Sequence, residues 1–210
     1  TVFEVESIFS CDYPNDIFAL YKHYGTGNAT PGAYYPQMDS ENIGEAGHTH
    51  EAIFSDKAGI VKVYEAVTQY CGFSAIEAGK TMGLFPYGNK NDVIPPLFQK
   101  EGKFELSNRN LIIPTYPNAS VINSQHYPFL DEQPSSDKTD DWTKLQSRRD
   151  LSYAVQKESQ KQCLDLIYKA VEMSGCKKDV FSGGYGSNSV ANYYYLESLQ
   201  NDGIKFYAEP

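Results

Sequence analysis

Apolar and polar positions interleave at the start of the chain. Val2, Phe3, Val5, Ile8 and Phe9 predict an opening strand, and Ile17-Phe18-Ala19-Leu20-Tyr21 predicts a second. Between them, Cys11-Asp12-Tyr13-Pro14-Asn15-Asp16 carries turn chemistry, so the pair reads as a hairpin. Residues 25–50 are rich in Gly, Asn, Pro and Ser and read as loop or irregular crossover. The period then changes. Ile60, Val63, Tyr64, Val67 and Cys71 recur at helical spacing. They predict a helix over 56–71, with Ser55 or Asp56 as N-cap and Gly72 just past its end. A shorter helix is expected over Ala75–Met82, before Gly83.

Residues 86–142 have a different texture. Pro86, Pro95, Pro96, Pro114, Pro117, Pro128 and Pro134 forbid any long helix. Phe104-Glu105-Leu106 and Leu111-Ile112-Ile113 predict short strands around Ser107-Asn108-Arg109-Asn110. The whole segment reads as a surface insertion with some β structure. A long helix is expected over Asp141–Ser174, ended by Gly175. Its stripe is Leu151, Val155, Leu164, Ile167, Tyr168 and Val171, with Lys157, Glu158, Lys161 and Asp165 off it. Val180-Phe181 predicts a short buried strand that runs into Ser182-Gly183-Gly184-Tyr185-Gly186-Ser187-Asn188. A helix to about Gln200, Gly203 and a strand at Ile204–Tyr207 close the pattern. Strands alternating with helices predict an α/β fold, a mixed sheet flanked by helices.

Composition narrows the function classes. The 210 residues suit one domain with a large insertion, at about 86–142. The net charge of −9 opposes a broad nucleic-acid-binding face, because an acidic surface repels phosphate backbones. No apolar run approaches a membrane span, so no membrane partner is expected. Thr1-Val2-Phe3-Glu4-Val5-Glu6 lacks the basic and apolar regions of a signal peptide. It also lacks an initiator Met, so the expectation is a piece of a longer protein or a processed form. Cys11, Cys71, Cys163 and Cys176 form no Cys-x-x-Cys pair, and free thiols of a cytoplasmic protein are expected.

Three segments are candidates for chemistry. At Val180–Asn192, a glycine pair follows a strand and precedes a helix. Backbone at Gly183 and Gly184 can approach a bound group, and the helix start offers unpaired N–H groups. Asn188 and Asn192 share one helical face, and their amides can donate and accept, as a ribose or carbamoyl group requires. The same residues also fit a tight turn with Asn188 as an N-cap. The segment is neither a Walker loop nor a Gly-x-Gly-x-x-Gly fingerprint. In Lys80-Thr81-Met82-Gly83-Leu84-Phe85-Pro86-Tyr87-Gly88, Lys80 can meet an anionic ligand, or the segment is a helix end and a turn. His48-Thr49-His50 has two imidazoles but no third metal ligand fixed by spacing, so a solvated loop is the simpler reading and no metal site is assigned. His23 and His126 are isolated in sequence. Ser10-Cys11-Asp12 suggests a nucleophile for which no base is placed.

Two of these segments together carry a resemblance. Ser182-Gly183-Gly184-Tyr185-Gly186-Ser187-Asn188-Ser189-Val190-Ala191-Asn192 resembles the Gly-Gly-Val-Ala-Leu-Asn-Cys-Val-Ala-Asn segment of the O-carbamoyltransferases, the nodulation-factor and antibiotic type. Lys80–Gly88 resembles that family's Lys-x-Met-Gly-Leu-Ala-Pro-Tyr-Gly segment. The helix from Tyr64 to Phe73 is similar to its Tyr-x-Ala-x-Thr-x-Tyr-x-Gly-Phe element. Arg149-Asp150-Leu151 with Gln156 is similar to its Asp-Leu/Ile-Ala-x-x-x-Gln element. The resemblance covers about residues 55–90 and 145–210.

The resemblance implies a ribonuclease-H-like subdomain of the actin/sugar-kinase-like ATPase superfamily. It implies transfer of a carbamoyl group from carbamoyl phosphate, through a carbamoyl-adenylate made from ATP, to a hydroxyl-bearing small-molecule acceptor. Gly183, Gly184, Asn188, Asn192 and Lys80 would then lie on the nucleotide or carbamoyl-adenylate side. A divalent metal, iron or magnesium, and further domains would belong to the full-length enzyme, and the isolated chain is expected to be inactive. The family's His-x-x-x-His motif is absent here, and Tyr185 stands where members carry a small or aliphatic residue. Two other readings remain: a threonylcarbamoyl-transfer protein acting on tRNA, and a non-catalytic binding module of the same fold.

Overall fold

A computed structural model describes residues 3–12, 14, 16–25, 50–102, 104–114, 121–124, 130 and 132–209. In chain order the elements are β1 (Phe3–Asp12), β2 (Asp16–Gly25), β3 (Glu51–Ser55), α1 (Ile60–Tyr70), α2 (Ala78–Leu84), β4 (Phe98–Glu101), β5 (Phe104–Ser107), β6 (Ile112–Ile113), β7 (Val121–Ile122), α3 (Thr139–Trp142), α4 (Gln146–Ser174), β8 (Lys178–Ser182), α5 (Ser189–Gln200) and β9 (Lys205–Glu209). This is a mixed α/β chain. It divides into two compact units: Thr1–Asp56 with Cys163–Pro210, and Lys57–Gln162. The division falls within α4.

In the first unit, the expected hairpin is formed by β1 and β2, antiparallel, and β3 joins β2 in parallel. The register of β1 shifts between Glu4 and Glu6, so that Glu4 pairs with Tyr24 but Glu6 with His23. Val5 is the extra residue, and the bulge turns Glu6 to the face that holds His23. Lys169 of α4 pairs with Glu51 at 3.0 Å and lies over the Tyr21 ring at 3.6 Å, which fixes the helix on this sheet.

The rest of this unit is β8–α5–β9, a parallel pair joined through a helix. Burial alternates along both strands, as a one-sided sheet requires. The covered face carries Phe181 and Phe206 against Tyr195 of α5, with ring centroids 5.9 and 5.4 Å from it. Ala191, Tyr195 and Leu199 recur every turn on one stripe of α5, and each is fully buried.

The second unit is built on α1, α2, the antiparallel pairs β4–β5 and β6–β7, α3 and the first half of α4. Gly59, rather than Ser55 or Asp56, is the N-cap of α1, because Ser55 is held in β3 opposite Gly25. The end of α1 is as expected: Gly72 takes a left-handed φ of 87°. The shorter helix is displaced toward the C-terminus. A 3-10 turn at Ala75–Glu77 leads into α2, and Gly83 lies inside that helix rather than after it. The two expected strands are β5 and β6, but they do not pair with each other; β5 takes β4 and β6 takes β7. The long helix begins at Gln146, and α3 is a separate turn before it.

Residues of the 86–142 segment enter the core. Leu97, Leu111, Ile112 and Leu130 have no exposed surface, and neither do Val63, Val67, Leu151 and Val155. The buried stripe of α4 is also more polar than its apolar positions suggest. Ser152, Gln156 and Ser159 are fully buried. The Ser152 hydroxyl donates to the Arg148 carbonyl at 3.0 Å and that of Ser159 to the Val155 carbonyl at 2.5 Å, so neither is left unpaired. Glu158, off the apolar stripe, accepts the backbone N–H groups of Leu97 and Phe98 and anchors β4. Burial raises its carboxyl above the usual range.

Candidate functional site

The glycine junction of the first unit grows out of β8. After Ser182, Gly183 has φ of 114°, a conformation that side-chain-bearing residues avoid. The backbone then closes a 3-10 turn over Gly184–Ser187, and α5 starts at Ser189. The Gly183 N–H donates to the Glu209 carbonyl at 3.3 Å, tying the turn to the carboxyl end of β9. A Cβ built on Gly183 or Gly184 would meet nothing within 4 Å. Both glycines are exposed, while Gly186 is buried against the Glu209 carbonyl. The bare backbone therefore lies at the carboxyl ends of two parallel strands, beside a helix N-terminus. Ligands of open α/β sheets are held in that position.

The two asparagines have different duties. Asn188 is the N-cap of α5: its Oδ1 accepts the Ala191 N–H at 3.0 Å. Asn192 lies one turn on. Its Nδ2 donates to the Gly186 carbonyl at 2.7 Å, which fixes the amide plane. Its Oδ1 is buried and finds no partner among the described residues. A buried amide oxygen without a donor is costly, and a bound N–H group relieves it. Tyr185, the residue that departs from the family pattern, turns inward. It is buried, with its ring edge-on to Phe181 at 6.2 Å, and leaves the space over the glycines clear.

Lys80 belongs to the second unit and is exposed there. Its Nζ is 2.5 Å from Glu77 Oε1 and 5.6 Å from the centre of the Phe73 ring. The other Glu77 oxygen accepts the Ser74 N–H at 3.0 Å, within a capping box at the start of the Ala75–Glu77 turn. Lys80 and Ser74 hold the Glu77 carboxyl below its ordinary range. The lysine is thus engaged in closing a helix start.

The other residues that carry the resemblance converge within the second unit. The Tyr64 hydroxyl donates to Gln156 Oε1 at 2.8 Å, and the Thr81 hydroxyl to that of Thr68 at 2.9 Å. Cys71 Sγ lies 3.3 Å from Ser152 Oγ. Asp150 accepts from the Asn89 N–H and from Asn91 Nδ2, at 2.9 and 3.0 Å, just after the Pro86-Tyr87-Gly88 turn. The Thr81–Thr68 bond ties α2 to α1, and the others pin α1, its end and the turn after α2 to α4. Beside them, Arg148 stacks its guanidinium on Tyr70 at 3.3 Å from the ring centre and donates to the Glu132 carbonyl. Burial pushes its pKa down to about 10.

One polar group had no signal in the linear sequence. His23 is not isolated in space: it lies between Glu6 and Ser55, 2.7 Å from each. The residues are far apart in the chain, and only the strand order β1-β2-β3 joins them. His48, Thr49 and His126 lie outside the described residues. Among the described residues, no three His, Cys, Asp or Glu side chains come together as a metal-ligating group. Cys71 and Cys163 are buried free thiols, as expected, each pushed up to about 12 by burial; Cys11 and Cys176 are exposed. No helix among the described residues is long and apolar enough to cross a membrane. Compared with known proteins, the chain matches no family model and no curated sequence.

Proposed function

We propose that the first unit is the nucleotide-side lobe of a carbamoyl-transferring enzyme of the actin/sugar-kinase-like type, with a ribonuclease-H-like fold. Its ligand is ATP or the carbamoyl-adenylate formed from carbamoyl phosphate, and the carbamoyl group passes to a small hydroxyl-bearing acceptor. The observation that carries this reading is the bare backbone at Gly183–Gly184, open to solvent at the ends of β8 and β9 and beside the start of α5. A phosphate or acyl-phosphate oxygen fits such a place, because main-chain N–H groups and the helix dipole favour negative charge there.

The Asn192 oxygen, buried and without a donor among the described residues, suits an amino group: the carbamoyl NH2 or the exocyclic amine of adenine. Asn188 serves by holding the helix start in place. Lys80, paired with Glu77 in the other unit, is given no ligand contact. When bound, the activated carbamoyl group supplies the electrophile; the chain supplies donors preset around the charge that develops on it.

Titration calorimetry with ATP and AMP tests the reading on wild type and Gly184→Val. Gly184 has open space at its Cβ position, so the valine should leave the melting temperature within about 2 °C. The expected result is binding in the wild type and at least tenfold weaker binding in the variant. Equal affinity in a folded variant would remove the glycine junction from the site.

A further inference from the structure

The row Glu6–His23–Ser55 has the parts of a base-activated nucleophile. The bulge at Val5 is what builds it. In a regular antiparallel register, Glu4 opposite Tyr24 would set Val5 opposite His23; the shift sets Glu6 there instead. His23 Nδ1 is 2.7 Å from Glu6 Oε2, and His23 Nε2 is 2.7 Å from Ser55 Oγ. A carboxylate only accepts, so Nδ1–H donates to Glu6, and in the neutral imidazole Nε2 is left to accept the Ser55 hydroxyl proton. The imidazole is 2% exposed, which shields the relay from water. Ser55, the last residue of β3, is 8% exposed and pairs with Gly25, which extends no side chain beside its hydroxyl.

We propose that Ser55 is a nucleophile activated by His23 and oriented through Glu6, and that it takes an acyl or carbamoyl group from small activated esters. The Ser55 oxygen bonds to the carbonyl carbon while Nε2 takes the hydroxyl proton. The bond from that carbon to the leaving alcohol oxygen breaks, and the imidazolium protonates the departing oxygen. Water then repeats the sequence at the acyl-serine, releasing the acid and restoring Ser55. The net reaction is ester plus water to acid plus alcohol. This inference is independent of the nucleotide reading of the glycine junction.

The test uses the whole chain with diisopropyl fluorophosphate, a probe small enough for a recessed hydroxyl, and with p-nitrophenyl acetate. Intact mass and peptide mapping locate the adduct. One adduct on Ser55 is expected, formed about 100-fold faster than on the exposed Ser187. His23→Ala should slow it by about 100-fold and Glu6→Gln by about tenfold. Ser55→Ala should abolish both the adduct and p-nitrophenol release. If the histidine variant does not fold, the ratio of Ser55 to Ser187 labelling in wild type decides alone. A ratio near one, or undiminished labelling in a folded His23→Ala, overturns the proposal and leaves the row a structural brace.

Discussion

Two glycines of the Lys80–Gly88 segment should respond in opposite directions to the same substitution. A Cβ on Gly88 would overlap the main-chain carbonyl of Arg149 and come within 2.9 Å of Tyr153 Cβ. The helix cannot easily yield, since Arg149 Nε is bonded to the Thr143 carbonyl at 2.7 Å. The turn must move instead, and it is held by Asp150 through Asn89 and Asn91. Overpacking costs about 1–3 kcal/mol. Loss of two hydrogen bonds to a carboxylate adds roughly 1.5 kcal/mol each. Gly88→Ala should therefore cost about 4–6 kcal/mol in all.

Gly83 is an exposed position inside α2, with nothing within 4 Å of its Cβ site. Gly83→Ala should gain about 0.5–1 kcal/mol from backbone entropy and helix propensity. Urea denaturation followed by the fluorescence of Trp142, the single tryptophan, reads both changes in the second unit. A Gly88→Ala protein within 1 kcal/mol of wild type, or the same sign for both variants, would refute the docking of this turn on α4.

Asp179 and Asn188 give two further tests. Burial pushes the Asp179 carboxyl up to about 6, so the folded state holds its proton at pH values where the unfolded chain has lost it. Stability therefore falls as pH rises from about 4 to 6. Discounted for its partial exposure, Asp179→Asn should gain about 1 kcal/mol at pH 7.5 and almost nothing at pH 4; an equal gain at both, measured by urea denaturation, would show that the charge is not the cause. Asn188→Ala should cost about 1 kcal/mol through the lost cap, and Asn188→Ser should restore most of it. Thermal melts of the pair check this, and failure of serine to rescue would assign Asn188 some other duty.

Period and punctuation made much of the fold legible. Alternation found β1, the apolar run Ile17–Tyr21 found β2, the stripe from Ile60 to Cys71 found α1, and Gly72 marked its end. The N-cap of α1 was missed because Ser55 is a good capping residue whose place is taken by strand pairing, a tertiary demand. Residues 86–142 looked peripheral because prolines break their periodicity. Yet Leu97, Leu111, Ile112 and Leu130 need only single buried positions, which leave no period. The face of α4 was hard to read for another reason. Its buried serines satisfy their hydroxyls on the preceding turn, so they are hidden core rather than surface.

The candidate site divides in the same way. Gly183 and Gly184 were legible because a glycine pair between strand and helix has few uses. The split between Asn188 and Asn192 was not, since both amides carry the same groups and only the cap geometry separates them. Lys80 looked like a free cation because Glu77, three residues before it, gives no hint of the capping box it closes. Glu6, His23 and Ser55 left no trace, since their meeting depends on a bulge and on a parallel pairing of strands separated in the chain.

The central claim is that a nucleotide is held on the backbone between Gly183 and Asn192. Amide chemical-shift mapping by nuclear magnetic resonance, with AMP titrated into the isotopically labelled chain, tests it most directly. The account predicts saturable shifts centred on Gly183, Gly184 and the first turn of α5, with the Asn192 side-chain amide moving in step. Saturable shifts centred elsewhere, or none at millimolar AMP, would contradict it.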